Sequence, residues 1–326
     1  MPRPAQYRLA LILLAAFCTP AGAQSDYPSR PVRLIVSVTA GAGPDVAGRV
    51  VAEHLGRHWG QQMVVENRPG AGGAIAMRAA GAAAPDGYTL YLPVASNFIA
   101  LPEMQAKLPY DLARDFVPIG FVGGHPMVIG AAAALGVKTL PDLIALAKKQ
   151  PGALNVGIAS RGSLPHLTAE WLRLAGGAAF TVVHYPGAPQ AITDLMGGRI
   201  HVVIETLSTF AAAIAAGKLV PLAVATAQRL PRAPDLPTVA ETLPGFLAMG
   251  WYVMMAPPGT PEPVARKVSA DLNTVLAQPE VRARLTEIGN HVEPMSPAAL
   301  MRFIRGQQQA WKPVLAAIAA AGGGAK

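Results

Sequence analysis

VRLIVSVTAGAGPDVAGRVVAEHLGRHW, residues 32–59, is the stretch whose reading decides the fold. Val32 to Val38 is apolar and rich in β-branched residues, the pattern of a strand buried on both faces. Thr39-Ala40-Gly41-Ala42-Gly43-Pro44-Asp45 follows as a small-residue loop, in which Gly41 and Gly43 permit backbone angles closed to other residues. Pro44 suits the first turn of a helix, where its missing N–H costs nothing, and Asp45 complements the positive end of the helix dipole. The helix then sets Val46, Val50, Val51 and Leu55 on one face and Arg49, Glu53 and Arg57 on another. Strand, bare loop and helix start together present a cluster of free N–H groups, which is an anion site. A Walker loop is excluded because no GK[ST] follows, and a dinucleotide fingerprint because Val46 stands at its third glycine. A small carboxylate fits better, and a tight βα turn that binds nothing stays open as the alternative.

The first 23 residues read as a leader outside the fold. Arg3 and Arg8 form its positive start, Leu9 to Phe17 its short apolar run, and Ala21-Gly22-Ala23 its cleavage site. Phe17 before Cys18 is too large for lipoprotein processing, so the expectation is soluble export to the periplasm with cleavage after Ala23. Cleavage removes the one cysteine, so the mature chain must be held by its core rather than by disulfides. Of the formal charge of +8, the leader's two arginines account for two, leaving a mildly basic mature chain of +6. There is no Lys/Arg run and the aromatics are scattered, which argues against nucleic acid and for mild steering of anionic solutes. No later segment has the length and purity of a transmembrane helix. The mature length sits at the limit of a single core, so two domains are the default.

Farther along, Met63 to Glu66 reads as a second strand, Asn67 to Gly73 as another glycine-rich turn, and Ala74 to Ala83 as a small-residue helix. Tyr88 to Pro93 is a third strand with Ser96-Asn97 beyond its C-terminal edge. This alternation predicts a parallel α/β sheet with ligand groups at the strand C-termini. Phe116 to Phe121 and Met127 to Ile129 are strand-like and lead into a second domain. There, strand–loop–helix starts recur at Leu154 to Pro165 and at Thr181 to Pro189. Ile200 to Ile204 is a strand ending in Glu205-Thr206, and Leu219 to Ala225 returns the chain to the first domain. A strand at Gly250 to Ala256 and helices from Pro261, Pro279 and Pro297 complete that domain.

Several runs then resemble one family. These are Tyr27-Pro28-Ser29-Arg30-Pro31-Val32, Val65-Glu66-Asn67-Arg68-Pro69-Gly70-Ala71-Gly72-Gly73 and Pro85-Asp86-Gly87-Tyr88. Lys107-Leu108-Pro109-Tyr110-Asp111, Asp235-Leu236-Pro237-Thr238 and Gly250-Trp251 with Ala256-Pro257-Pro258-Gly259 continue the match. Together they are similar to the Bug family of periplasmic solute receptors, the binding components associated with tripartite tricarboxylate transporters. The resemblance implies an α/β, two-domain periplasmic-binding-protein type II fold (a Venus flytrap) with a two-strand hinge. Domain 1 would be residues 24–125 and 227–326, and domain 2 the inserted 126–226. It also implies a small carboxylate held in the cleft by main-chain N–H groups, short polar side chains and water, delivery to membrane permease subunits, a monomer, and no cofactor.

Carried onto this chain, the ligand-binding candidates are Thr39, Gly41, Ala42, Gly43 and Asp45 in the first loop, Ser96 and Asn97 after the third strand, and Ser160, Arg161, Gly162 and Ser163 in the second domain. Tyr185, Gly187, Glu205 and Thr206 complete the set. The chain departs from the family where Pro44 replaces a threonine, Arg161 a neutral residue, and Glu205-Thr206 an Asp-Asn pair. Arg161 is open to two readings, a bidentate partner for a second carboxylate or a solvent-facing loop residue. Asp45 contacts a ligand or caps its helix, and Tyr185 donates to a ligand or packs. His54 with His58, and His166 with Glu170, lack the further ligands a metal site needs. With no nucleophile motif, an exported hydrolase is the weaker alternative, and a sensor subunit is the other. Trp251 and Tyr252 read as core.

Overall fold

The computed structural model describes residues 27–105 and 107–320; the expected leader lies outside them. The chain runs β1 (Val32–Val36), α1 (Gly43–Trp59), β2 (Met63–Asn67), α2 (Ala74–Gly81), β3 (Thr89–Leu92) and α3 (Ala95–Ile99). Two single turns, Leu101–Met104 and Leu112–Asp115, lead to β4 (Val117–Pro126) and directly into β5 (Val128–Ala132). Next come α4 (Leu140–Lys149), β6 (Asn155–Ala159), α5 (Leu164–Gly176), β7 (Thr181–Tyr185), α6 (Ala188–Met196), β8 (Val202–Glu205), α7 (Leu207–Ala215) and β9 (Leu219–Val224). After an irregular stretch, β10 (Met249–Ala256), α8 (Glu262–Ala277), α9 (Pro279–Glu287) and α10 (Pro297–Ala320) finish the fold.

These strands form two five-stranded sheets, ordered β2-β1-β3-β10-β4 and β7-β6-β8-β5-β9. In the first, β1 is parallel to β2 and β3, while β10 runs antiparallel to β3 and β4. In the second, β6 is parallel to β7 and β8, and β5 runs antiparallel to β8 and β9. The parallel core of each sheet carries its helix starts at the strand C-termini, and in both sheets those ends face the other domain.

Local chemistry explains the first unit. The side chains of Val32, Leu34, Ile35 and Val36 are fully buried, as a strand covered on both faces requires. Gly48 lets α1 settle on the sheet, since a Cβ there would meet Leu92 at 3.0 Å. Gly60 ends α1 in the left-handed region, at φ 65°, with its N–H on the last-turn carbonyls.

The chain crosses between sheets twice, at Met127 and at Ala225, and the crossings are bonded to each other. Ala225 N donates to the Met127 carbonyl at 2.8 Å, Ala248 N to Ala225 at 2.9 Å, and Met127 N to Ala248 at 3.3 Å. The last helix does more than complete the first domain. Trp311 on α10 meets Trp171 on α5 edge-to-face at 5.3 Å, and Trp171 stacks on Phe246 at 4.3 Å. An apolar cluster consequently runs continuously from Ile35 and Tyr91 of one domain to Ile158 and Leu172 of the other.

Candidate functional site

Between the sheets lies a cavity of about 110 Å³ walled by both domains. Helix starts converge on it. Ala42, Gly43 and Pro44 bring the beginning of α1, Ala95 and Ser96 that of α3, Ser163, Leu164 and Pro165 that of α5, and Gly187 and Ala188 that of α6. Each brings the positive end of a helix dipole to the cavity. No lysine or arginine is among the described residues lining the cavity, whose titratable side chains are His125 and Glu205.

The first-domain wall is built by Asn97. Its Oδ1 accepts from Ser37 Oγ at 2.9 Å and Val94 N at 3.0 Å, and its Nδ2 donates to the Gly72 carbonyl at 2.7 Å. One amide therefore ties the end of β1, the start of α3 and the Gly70–Gly73 loop. Gly73 is obligatory beside it, with φ 100° and room for no side chain, because a Cβ would lie 2.1 Å from Asn97 Nδ2. On the second-domain wall, the Gly162 N–H donates to His166 Nδ1 at 3.0 Å and the His166 N–H to Ser163 Oγ at 3.3 Å. Burial, with His184 and Arg161 nearby, pushes the His166 pKa down to about 4, so the ring stays a neutral acceptor.

The two walls meet. A Cβ on Gly187 would lie 2.8 Å from Thr39 Oγ1, one on Gly43 3.7 Å from Thr206 Cγ2, and one on Gly162 2.4 Å from Met104 Sδ. The cleft is therefore closed, and glycines at its lips allow the approach.

Of the residues expected from sequence, Thr39, Ala42, Gly43, Ser96, Asn97, Ser160, Ser163, Gly187 and Glu205 line the cavity. Gly41, Asp45, Arg161, Gly162, Tyr185 and Thr206 do not, for identifiable reasons. Asp45 is 1% exposed and holds its own loop, accepting from Gly41 N at 2.8 Å, Asn67 Nδ2 at 2.8 Å and Arg49 Nε at 3.1 Å. Tyr185 gives its hydroxyl to Asp194 at 2.9 Å. Thr206 caps α7, accepting from Thr209 N, and Gly162 is bound into the loop through His166. Arg161 stands between two left-handed residues, Ser160 at φ 62° and Gly162 at φ 76°, and its charge helps lower the pKa of His166 and His184. The histidines doubted as metal ligands are otherwise engaged: His54 Nδ1 meets the Val50 carbonyl at 2.8 Å.

Sequence reasoning missed Ser37, the Gly70–Gly73 turn as a wall, His125 and Trp251. Trp251 was expected in the core and is fully buried there, yet it also borders the cavity. His125 Nδ1 and Trp251 Nε1 are buried without a hydrogen-bond partner among the described residues. A glycine at 250 was the available signal, because a Cβ there would strike the His125 ring at 2.2 Å. Burial moves His125 down to about 4 and Glu205 up to about 7.

Comparison with known proteins agrees with this geometry. The family described as "Tripartite tricarboxylate transporter family receptor" matches residues 47–320. Protein BugT of Bordetella pertussis is 34% identical over 93% of this chain and 94% of its own. Among solved structures, R. palustris Rpa4515 with adipate superposes with a TM-score of 0.87 at 31% identity, over 92% of this chain and all of that one. The periplasmic binding protein BugD gives 0.83 at 32% identity over the same shares. The matched span covers most of the chain, and the chain belongs to the tripartite tricarboxylate transporter receptor family, whose members are solute receptors.

Proposed function

We propose that this receptor is exported, captures a small carboxylate in the interdomain cleft, and presents its closed form to the permease subunits of a tripartite transporter. The observation that carries the reading is the convergence of four helix starts on one cavity with no basic side chain among its described lining residues. Such a site holds an anion through main-chain N–H groups and helix dipoles, without the desolvation cost of burying a lysine or arginine. The likeness to Rpa4515, solved with adipate, supports a small organic acid. The likeness to the periplasmic BugD, with the leader-like sequence of residues 1–23, supports export. We read domain 1 as 24–125 with 227–326 and domain 2 as 126–226, so that the bonded crossings at Met127 and Ala225 act as the hinge. We read the cleft as a binding site and not a catalytic one, in keeping with a family of receptors; Ser163 and Ser37 commit their hydroxyls to fixing its walls.

The test is a calorimetric and thermal-shift panel on residues 24–326, unfolded and refolded beforehand to remove co-purified solute. Mono-, di- and tricarboxylates are set against neutral amides of the same shape. A ligand present at about 100 times its Kd adds roughly 2.7 kcal/mol to stability. For a domain of about 150–250 residues this raises Tm on the order of 5–10 °C. Stabilisation by at least one acid and none by its fully amidated form is the expected result. Equal response to acids and amides, or none to any acid, would overturn the reading.

A further inference from the structure

Three helix starts at the cavity share one device: the third residue of the helix reaches back and accepts an N–H of the loop before it. In α3 that residue is Asn97, which accepts from Val94 N at 3.0 Å; in α1 it is Asp45, which accepts from Gly41 N at 2.8 Å. In α5 it is His166, whose Nδ1 accepts from Gly162 N at 3.0 Å while the His166 N–H donates to Ser163 Oγ. The same device occurs away from the cavity, at α4 and at the single turn Val239–Glu241, and there the acceptors are carboxylates. Asp142 accepts from Thr139 N at 3.1 Å and Glu241 from Thr238 N at 2.9 Å. At the cavity the acceptor is instead neutral, as in Asn97 and His166, or paired, as in Asp45 with Arg49 at 3.1 Å. An uncompensated carboxylate there would offset the positive helix end on which an anion depends. The turn tied by His166 sets Ser160 and Ser163 on the cavity wall and brings Gly162 against Met104 across the cleft. It passes through left-handed residues at Ser160 and Gly162, and a serine persists in that region only where its surroundings hold it. Burial keeps the His166 ring uncharged, and His184 on β7 and Arg161 in the turn oppose the imidazolium further. Glu170, one turn along α5, is held by Arg173 at 2.8 Å.

We propose that His166 is a positioning residue for the solute: a neutral acceptor that fixes the Ser160–Ser163 turn without setting a negative charge beside the bound anion. With Nδ1 accepting, the ring proton is on Nε2 and the imidazole carries no charge. A carboxylate in its place would hold the same N–H but add a negative charge to the wall, whichever base it faced. An apolar residue of similar size would fill the space, leave the buried Gly162 N–H without its acceptor and free the turn. Affinity therefore depends on two properties of one side chain, acceptance and neutrality, and packing supplies neither. The inference rests on the receptor reading above, since it assigns what holds one wall of the same site.

The experiment compares the refolded, solute-free parent with His166→Asn, His166→Asp and His166→Leu at about pH 7, by calorimetric titration with succinate, glutarate, adipate and citrate. Asn offers an oxygen close to the place of Nδ1 and accepts without charge, and Asp differs from it by charge alone. For the probe that binds the parent best, the Asn variant should stay within about threefold of the parent. The Asp and Leu variants should each bind at least about tenfold more weakly than Asn. The Asp variant should melt no lower than the Asn variant, because it keeps the bond to the turn and suits a helix start. Leu binding as tightly as Asn would show that the acceptor is not needed, and Asp binding as tightly as Asn that neutrality is not. Either result overturns the inference while the carboxylate receptor stands. The ¹⁵N shifts of the His166 ring give a reading that needs no solute. A proton on Nε2 with Nδ1 bare is expected, and a proton on Nδ1 would overturn the assignment. If no acid binds the parent, the receptor reading falls, and the inference with it.

Discussion

Glu205 sits at the C-terminal end of β8, walled by both domains, and burial raises its carboxyl from the ordinary 4.5 to about 7. His125 and His166 are moved the other way, from 6.5 to about 4, chiefly by the same loss of water. The signs follow from proton counting. Between about 4 and 6.5 the unfolded chain holds more protons on the histidines than the folded one, so their contribution is complete above 6.5 and lost as pH falls toward 4. Between 4.5 and about 7 the folded state holds more protons on Glu205, so its penalty grows as pH rises and is full above 7. The solute-free protein should therefore show a flattened stability profile across mildly acidic pH. Glu205→Gln should raise Tm at about pH 8 by several degrees, on the order of 2 kcal/mol, and leave it unchanged near pH 4. Scanning calorimetry of both proteins across this range checks it; parallel profiles would contradict the assigned burial. Sequence could name Glu205 because it closes a strand at a cleft edge. It could not tell that Asp45 would be consumed by its own loop, since capping and ligand contact need the same residue type at the same place. Arg161 shows a second limit. With left-handed residues on both sides of it, the direction of its side chain does not follow from strand or helix periodicity.

At the scale of elements, helix starts were the most legible feature of the chain. Pro44, Pro165 and Pro189 each fall in a first turn beside short polar or glycine residues, and the structure begins α1, α5 and α6 there. What the sequence concealed is how the loops are locked to one another, because those bonds join residues far apart along the chain. Asn97 bonds Gly72, 25 residues away, and Ser37, 60 residues away. Asn97→Ala should orphan the Val94 N–H and the Gly72 carbonyl and release the Gly70–Gly73 loop, at a cost of about 2–4 kcal/mol. The expected readout is a lower denaturation midpoint together with weaker binding of whichever acid stabilises the parent. A variant that loses neither would show that the three loops are fixed independently of this amide. The start of the final helix at Pro297 was legible, and its full course was not. Pro313 lies inside it, a residue that sequence rules place at a helix end, yet α10 continues to Ala320 and reaches the second domain.

At the scale of the whole molecule, two features join the domains on opposite terms. The crossings at Met127 and Ala225 are short, hydrogen-bonded and flanked by strands, so they resist separation while leaving a few residues to absorb rotation. The aromatic chain of Trp311, Trp171 and Phe246 instead stakes one domain's helix α5 against the other domain's α10 by side-chain contact alone. Aromatic pairs of this kind contribute about 0.5–1.5 kcal/mol each beyond the area they bury. If that contribution is larger in the closed state, which has its lips in contact at Gly43, Gly162 and Gly187, the chain biases the receptor toward closure before any solute arrives. Removing it should then lower the population of the binding-competent form, and apparent affinity falls in proportion to that population. Trp171, half-buried on α5, is the position to change, because it touches both other rings. Trp171→Ala should weaken binding of the best acid by about tenfold or more, for about 2 kcal/mol lost from the closed state. X-ray scattering of the solute-free variant should report a larger radius of gyration than the parent, and saturating acid should bring the two together. A variant with a lower Tm but unchanged affinity and radius would assign the three rings to holding the fold, with closure governed by the solute contacts at the cleft.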